Sequence, residues 1–346
     1  MRGREFPAAN LAPMPDQSVV SISAPDVQSA RPTLHVSLSR VGVTGVEKVI
    51  RLRADGSEQL FYARLECFVD LGSDQKGAHM SRFEEVVNDA IGEVIIGEAT
   101  FKAETLAQHV AELVRERQRA RRAEVTIAAR FPEHKPAPVS GITTQEMYTL
   151  LGSAVASSRG TRRLIGVSAQ GMTACPCAQG LVEGRARERL AADGFSDGEI
   201  ERVLEAVPVA THNQRGLGTL QVGCTEVCED EIDAVDLLAV VESSMSSEIY
   251  ELMKRSDEAE VVEKAHRRPR FVEDCVREMI GGVLERYPDL ADPAFVSARQ
   301  ENLESIHQHN VVAERHGLVG ELRDELRTGR PSPRHVTLRE WLDGGG

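Results

Sequence analysis

Apolar and polar residues alternate along TLHVSLSRVGV (33–43) and along LFYARLECFVDL (60–71). That two-residue period belongs to strands with one buried face, and the two segments read as a long antiparallel hairpin. The period then changes. In MSRFEEVVNDAIGEVI, apolar residues recur at helical spacing, Ser81 stands at a capping position and Glu84 follows three residues later, which predicts a helix. FKAETLAQHVAELVRERQ continues as a second helix, and RAEVTIAARF (122–131) returns to strand. PEHKPAPVSG (132–141) reads as a turn or loop through its prolines. TTQEMYTLLGSAVASSRG is ambiguous between a helix and a closing strand of the first half.

The second half has a similar order. RRLIGVSAQG (162–171) reads as a strand ending at a cysteine-bearing loop. EGRARERLAADGFSDGEIERVLEAVP is a charged helical excursion, and LGTLQVGC (217–224) is again a strand. IDAVDLLAVVESSMSSEIYELMKR and FVEDCVREMIGGVLERYP read as helices, and FVSARQENLESIH as a strand ending near two histidines. The order β-β-α-α-β therefore occurs twice, without an obvious residue repeat. Antiparallel pairs with consecutive helices on one face imply an α+β class. Open sheet edges would be relieved by oligomerisation into closed barrels.

The chain divides on this reading into a flexible tail (1–31), a first module (32–160), a second module (161–316) with an insertion at 180–210, and a charged extension (317–346). No stretch approaches eighteen apolar residues, so no membrane span is expected. The basic N-terminus lacks an apolar h-region, which argues against a secretory signal and leaves the cytoplasm as the expected location. The formal charge of −13 argues against a nucleic-acid partner. It leaves room for a small anion held by a local cluster of arginines.

Six cysteines are present. Cys67 and Cys275 read as core residues. Cys175 and Cys177 flank one proline, and a disulfide across one residue would be badly strained, so metal ligation or thiolate chemistry fits them better. Other donors fall at element ends: His212 before a strand, Asp257 and Glu258 at a helix break, His307 and His309 after the last strand. A thiolate, two imidazoles and a carboxylate suit Zn²⁺ or Fe²⁺. Each also has a plain reading. Cys175 would be a buried thiol, His212 a turn residue and Glu258 a first-turn acid favoured by the helix dipole. His307 and His309 would face opposite ways if their strand continued. Cys224 and Cys228, four apart, have no obvious histidine partner. Lys76, His79 and Arg82 precede a helix, and Arg215 stands near His212; such groups can receive an anion.

CPCAQ (175–179), THNQRG (211–216), KR-x-DE (254–258), FVED (271–274), ENLESIHQHN (301–310) and KGAHMSR (76–82) together resemble the GTP cyclohydrolase IB family, over roughly residues 28–316. GMTACPCAQ and the long stretch between Cys177 and His212 resemble the archaeal branch, which serves methanopterin biosynthesis. The resemblance implies a tunnelling fold of two tandem β-β-α-α-β-β modules, with subunits joined as a homodimer or homotetramer into barrels. It implies metal ligands at Cys175, His212, Glu258 and His307, and catalytic roles for Cys177 and His309. Glu273 would anchor the guanine ring, since an ionised carboxylate only accepts hydrogen bonds and guanine offers adjacent donors. Lys76, His79, Arg82 and Arg215 would hold phosphates. The implied metal is Fe²⁺, with Zn²⁺ or Mn²⁺ as alternatives. The implied reaction opens GTP at C8 and releases formate. The product would be 7,8-dihydroneopterin 2′,3′-cyclic phosphate, or the triphosphate if the bacterial pattern holds. Gly216 and Ser256 stand where the bacterial branch commonly has serine and proline. A non-hydrolytic deazapurine enzyme and a metal protein without turnover are the rival readings.

Overall fold

The computed structural model describes residues 26–54, 57–94, 102–225, 232–333 and 335–344. The order begins β1 (Leu38–Ala54), β2 (Ser57–Leu71), α1 (Met80–Val94), α2 (Ala103–Gln118), β3 (Arg122–Pro136), β4 (Thr143–Ser157) and β5 (Gly160–Ala174). It continues through α3 (Pro176–Ala192), α4 (Asp197–Ala206), β6 (Asn213–Cys224), α5 (Ala234–Ser244), α6 (Arg255–Arg267) and α7 (Val272–Arg286). The last elements are β7 (Phe295–Leu303), β8 (Val311–Leu318), α8 (Val319–Thr328) and α9 (Leu338–Leu342). The eight strands among the described residues form one sheet in sequence order, every neighbour antiparallel.

This sheet corrects the expected architecture. Two modules with sheets closing into barrels are expected, whereas the strands form one open sheet in which β4 pairs with β5 from Thr149↔Ser168 to Ser157↔Gly160. The boundary placed at 160/161 falls in that hairpin turn, where Gly160 takes a positive φ of 105°, a conformation natural to glycine. The sheet is open rather than closed, with β1 and β8 at its edges. Strand β4 was ambiguous because paired leucines and an Ala-Val-Ala run blur its alternation. The tail expected at 1–31 falls mostly outside the described residues.

Helices α1, α2, α5 and α7 cover one face of the sheet. Phe83, Leu106, Val110, Leu237, Val241 and Met279 are buried there with Leu65, Ile127, Val167, Leu220 and Val296 of the strands in one continuous core. No described helix is long and apolar enough to cross a membrane.

The extension beyond β8 closes one corner of the opposite face. Trp341, the only tryptophan, is fully buried against Leu164, Phe295 and Val336. Its Nε1 donates to the Pro293 carbonyl at 2.9 Å, and Gly223 leaves room for its ring. Asp343 pairs with Arg122 at 2.7 Å, and its carbonyl accepts from Arg159, so α9 ties β3, the β4–β5 turn and β7 together. Trp341→Ala is expected to cost about 3–5 kcal/mol in a denaturant titration. An effect below about 1 kcal/mol would remove α9 from the folded core.

Candidate functional site

Antiparallel pairing decides which chain ends meet. Strand β5 ends where β6 begins and β7 ends, with Ala174 opposite Asn213 and Arg215 opposite Leu303. Cys175 continues β5 in extended conformation. Its N–H donates to the His212 carbonyl at 3.1 Å, and Thr211 Oγ1 donates to the Cys175 carbonyl at 2.8 Å. Two-residue alternation sets Cys175, His212 and Glu304 on the same face as the buried Thr173, Gln214 and Asn302. His212 Nδ1 lies 3.8 Å from Glu304 Oε2, a charge contact longer than a hydrogen bond. Both atoms are buried and have no hydrogen-bond partner among the described residues.

Cys175 caps α3. Pro176 fills the first helical position, and the Cys175 sulfur accepts from the Ala178 N–H at 3.5 Å. A helix N-terminus favours negative charge, as a thiolate would carry. Cys177, two residues on, is exposed. Gln179 fixes α3 by donating to the carbonyls of Val209 at 2.8 Å and His266 at 2.6 Å. The His266 ring is held between the carbonyls of Val262 at 2.8 Å and Thr211 at 3.3 Å. The segment leading to His212 is thus clamped from α3 and α6.

Helix α6 is anchored through Asp257 rather than Glu258. Asp257 is buried and accepts from the N–H groups of Val139, Ser140 and Lys254 and from Ser140 Oγ, all within 2.9 Å. Burial opposes its charge, but these hydrogen bonds hold its carboxyl well below the usual range. The β3–β4 turn and the α6 N-terminus are thereby fastened at the same sheet edge as Cys175. Glu258 is exposed, two helical turns before His266, roughly 12 Å along the axis.

His307 and His309 correct an expectation. Strand β7 ends at Leu303, so the two do not alternate across a sheet. They lie exposed in the following loop with rings stacked, centroids 5.2 Å apart and planes 13° apart.

The other proposed groups spread out. Glu273 is exposed in the first turn of α7, whose preceding Arg270 N–H donates to the Ala174 carbonyl at 3.0 Å. It rims a cavity of about 760 Å³ between α7, β8 and α8. Arg215 lies on the sheet face opposite His212 and donates to Gln170 at 3.1 Å. Lys76, His79 and Arg82 follow β2, and three antiparallel steps place the end of β2 beside the start of β5. From Thr161 to Ala174 the strand runs roughly 40 Å, so within one chain these groups stand at the opposite end of the sheet. They are locally engaged there. His79 is 3.6 Å from Asp26, and Arg82 donates to the Arg117 carbonyl at 3.2 Å.

The residues brought together are therefore Cys175 and His212, joined by Glu304. Sequence reading missed Glu304, although its place just beyond a strand end, three residues before His307, was a usable signal. It also missed His266, which carries no local motif. The donors here fit a divalent ion in chemistry: a cap-position thiol, and a half-buried imidazole whose Nδ1 faces Glu304 and whose Nε2 is the nitrogen left for a ligand. No group of three or more His, Cys, Asp or Glu side chains is already gathered around one point among the described residues.

Residues 24–313 match the family described as type I GTP cyclohydrolase folE2, and the chain belongs to that family. Among its relatives are proteins named GTP cyclohydrolase MptA. The one from Haloarcula marismortui is 42% identical, covering 89% of this chain and 99% of that protein. Those from Methanothermobacter thermautotrophicus and Methanococcus vannielii are 42% and 40% identical, each covering 87% of this chain and 96% and 98% of theirs. Among solved structures, a uricase from Arthrobacter globiformis aligns with a TM-score of 0.48 and 10% identity over 86% of this chain and 98% of that one. A likeness of that size bears on neither fold nor chemistry.

The cysteines divide by environment. Burial pushes the thiols of Cys67 and Cys275 up to about 12, whereas Cys177 is exposed. In native protein at pH 8, iodoacetamide is expected to label Cys177 and spare Cys67 and Cys275 until denaturant is added, read by peptide mass spectrometry. Early labelling of Cys67 would contradict its placement in the core. Asp257→Ala is expected to lower the melting temperature by several degrees near neutral pH. Because the folded-state pKa of Asp257 is depressed, its contribution is complete above about pH 4 and declines only below that. The gap between variant and wild type should narrow in melts taken towards pH 3; a pH-independent gap would contradict the ionised anchor.

Proposed function

We propose that the chain hydrolyses GTP at C8 of the imidazole ring and releases formate, at the sheet edge that joins Cys175, His212 and Glu304. The observation that carries this reading is their meeting on one face, with His212 Nδ1 and Glu304 Oε2 buried and unpartnered. The likeness to proteins named GTP cyclohydrolase MptA at 40–42% identity supports GTP as the substrate. It also supports 7,8-dihydroneopterin 2′,3′-cyclic phosphate, towards methanopterin, as the product.

Cys175 and His212 would anchor one divalent metal, Fe²⁺ in our reading, with Zn²⁺ or Mn²⁺ able to occupy the same donors. Glu258 of α6 and His307 of the β7–β8 loop would complete the set. A metal so held supplies a Lewis acid and a water acidified towards neutral pH. Glu304 faces Nδ1 of His212 and orients the imidazole, as outer carboxylates do for ligating histidines. Cys177 and His309, both exposed, would hold and move protons. Glu273 would accept from the N–H groups of guanine. Lys76, His79 and Arg82 would serve the triphosphate from a second copy, in a cytoplasmic homodimer or homotetramer. Arg215, on the far face, would need the same arrangement. No nucleic acid or membrane takes part.

Anaerobic protein loaded with Fe²⁺ and given GTP is expected to release formate and yield a pterin that fluoresces after oxidation. Product mass separates the cyclic phosphate from the triphosphate. Metal uptake without formate would contradict the reading. Cys175→Ala and Glu258→Ala should lose both metal and turnover, by more than the about 10- to 100-fold typical of an outer partner. Glu273→Gln should keep the metal and raise KM for GTP about 10-fold.

A further inference from the structure

Thr173 Oγ1, Gln214 Oε1 and Gln300 Oε1 are buried and, like His212 Nδ1 and Glu304 Oε2, have no hydrogen-bond partner among the described residues. The metal reading accounts for the last two and leaves the first three unexplained. Their residues are 0%, 7% and 0% exposed. All five lie in a row along one face of β5, β6 and β7. Thr173 is the register partner of Gln214, Gly216 of Asn302, and Gly218 of Gln300. Gln214 is two residues from His212 on the same face. With Arg215 opposite Leu303, the next step beyond β7 puts Glu304 beside Gln214.

The glycines of β6 make the row possible. A Cβ at Gly216 would come within 2.3 Å of Gln300 Nε2, and one at Gly218 within 2.6 Å of Val241. The Gln300 side chain therefore lies along bare backbone under α5. Its Nε2 donates to Asn302 Oδ1 at 3.0 Å, which fixes the amide and leaves Oε1 as the unmatched atom. The three atoms are oxygens; the two amide oxygens only accept, so what complements them must donate, while the Thr173 hydroxyl can donate or accept. Buried polar groups in native proteins find protein or ordered-water partners. Thr173 and Gln300 are fully enclosed, which sets the partner's size at a solvent molecule rather than a nucleotide. Internal water bridges two to four such groups.

We propose that Thr173, Gln214 and Gln300 form an internal hydration site that holds ordered water behind Glu304 and His212 and so positions the Glu304 carboxylate against the imidazole. The positioning role rests on the cyclohydrolase reading above; the hydration does not.

The first test is a high-resolution crystal structure of the metal-free wild type. Ordered solvent is expected within hydrogen-bond distance of Thr173 Oγ1 and Gln214 Oε1; a dry site, or a peak with anomalous signal and cation coordination, would overturn the proposal. Thr173→Val gives an independent sign. A hydrated hydroxyl lost to a methyl should lower the melting temperature by about 2–4 °C, whereas an equal or higher value would mark a dry hydroxyl and overturn it. Gln214→Leu should still bind one metal, leave KM for GTP within about twofold and lower kcat for formate release about 10- to 100-fold, with activity restored in part by Gln214→Asn. Unchanged kcat would overturn the positioning role. Should Gln214→Leu not fold, Thr173→Val carries the same kinetic readout. If wild type itself releases no formate, the cyclohydrolase reading fails, and the crystal and melting results still decide the hydration.

Discussion

The strict antiparallel order of one eight-stranded sheet governs everything else in this molecule. Each step reverses direction, so the end of β5, the start of β6 and the end of β7 share an edge. Residues separated by 37 positions (Cys175 and His212) and by 92 (His212 and Glu304) become neighbours although α3 and α4 intervene between the first two. The same parity places the segment after β2 at the far end. A single chain thus presents Cys175, His212 and Glu304 at one end of the sheet and, roughly 40 Å away by strand rise, Lys76, His79 and Arg82 at the other.

That edge is held from several sides. Asp257 fastens the β3–β4 turn to α6, Gln179 and His266 clamp the approach to His212, and Ser246 Oγ accepts from the Ala174 N–H at 3.0 Å. Placing ligands on strand ends held by a core gives more precise geometry than placing them on free loops. His307 and His309 are the exception, exposed in the loop between β7 and β8. At the other corner, α9 and Trp341 bind the sheet together in a segment beyond the part that matches the family.

Much of this was legible in the sequence, for identifiable reasons. β2 and β3 follow the period of two, β1 (Leu38–Ala54) overlaps the strand expected at 33–43 only over 38–43, and the buried Cys67 and Cys275 sit at core positions of their elements. The proposed metal donors fall at element ends because ends are where the chain leaves the core. Other features were not readable. The union of the two halves depends on β4, whose small residues and adjacent leucines hide its alternation, so two modules were expected where one sheet exists. Glu304 resembles any acidic residue until register puts it beside His212. Gln214 and Gln300 are ordinary polar residues in a strand pattern, and only burial exposes their unmatched oxygens. The distance between Lys76 and Cys175 is a property of strand parity, which no local motif records.

Cys175 and His212 are proposed to bind the same ion. X-ray absorption at the zinc K-edge of protein reconstituted with one equivalent of Zn²⁺ tests it most directly. The account requires one sulfur scatterer at about 2.3 Å beside nitrogen and oxygen neighbours, with the sulfur signal absent in Cys175→Ser. A shell of nitrogen and oxygen alone in the wild type would contradict it.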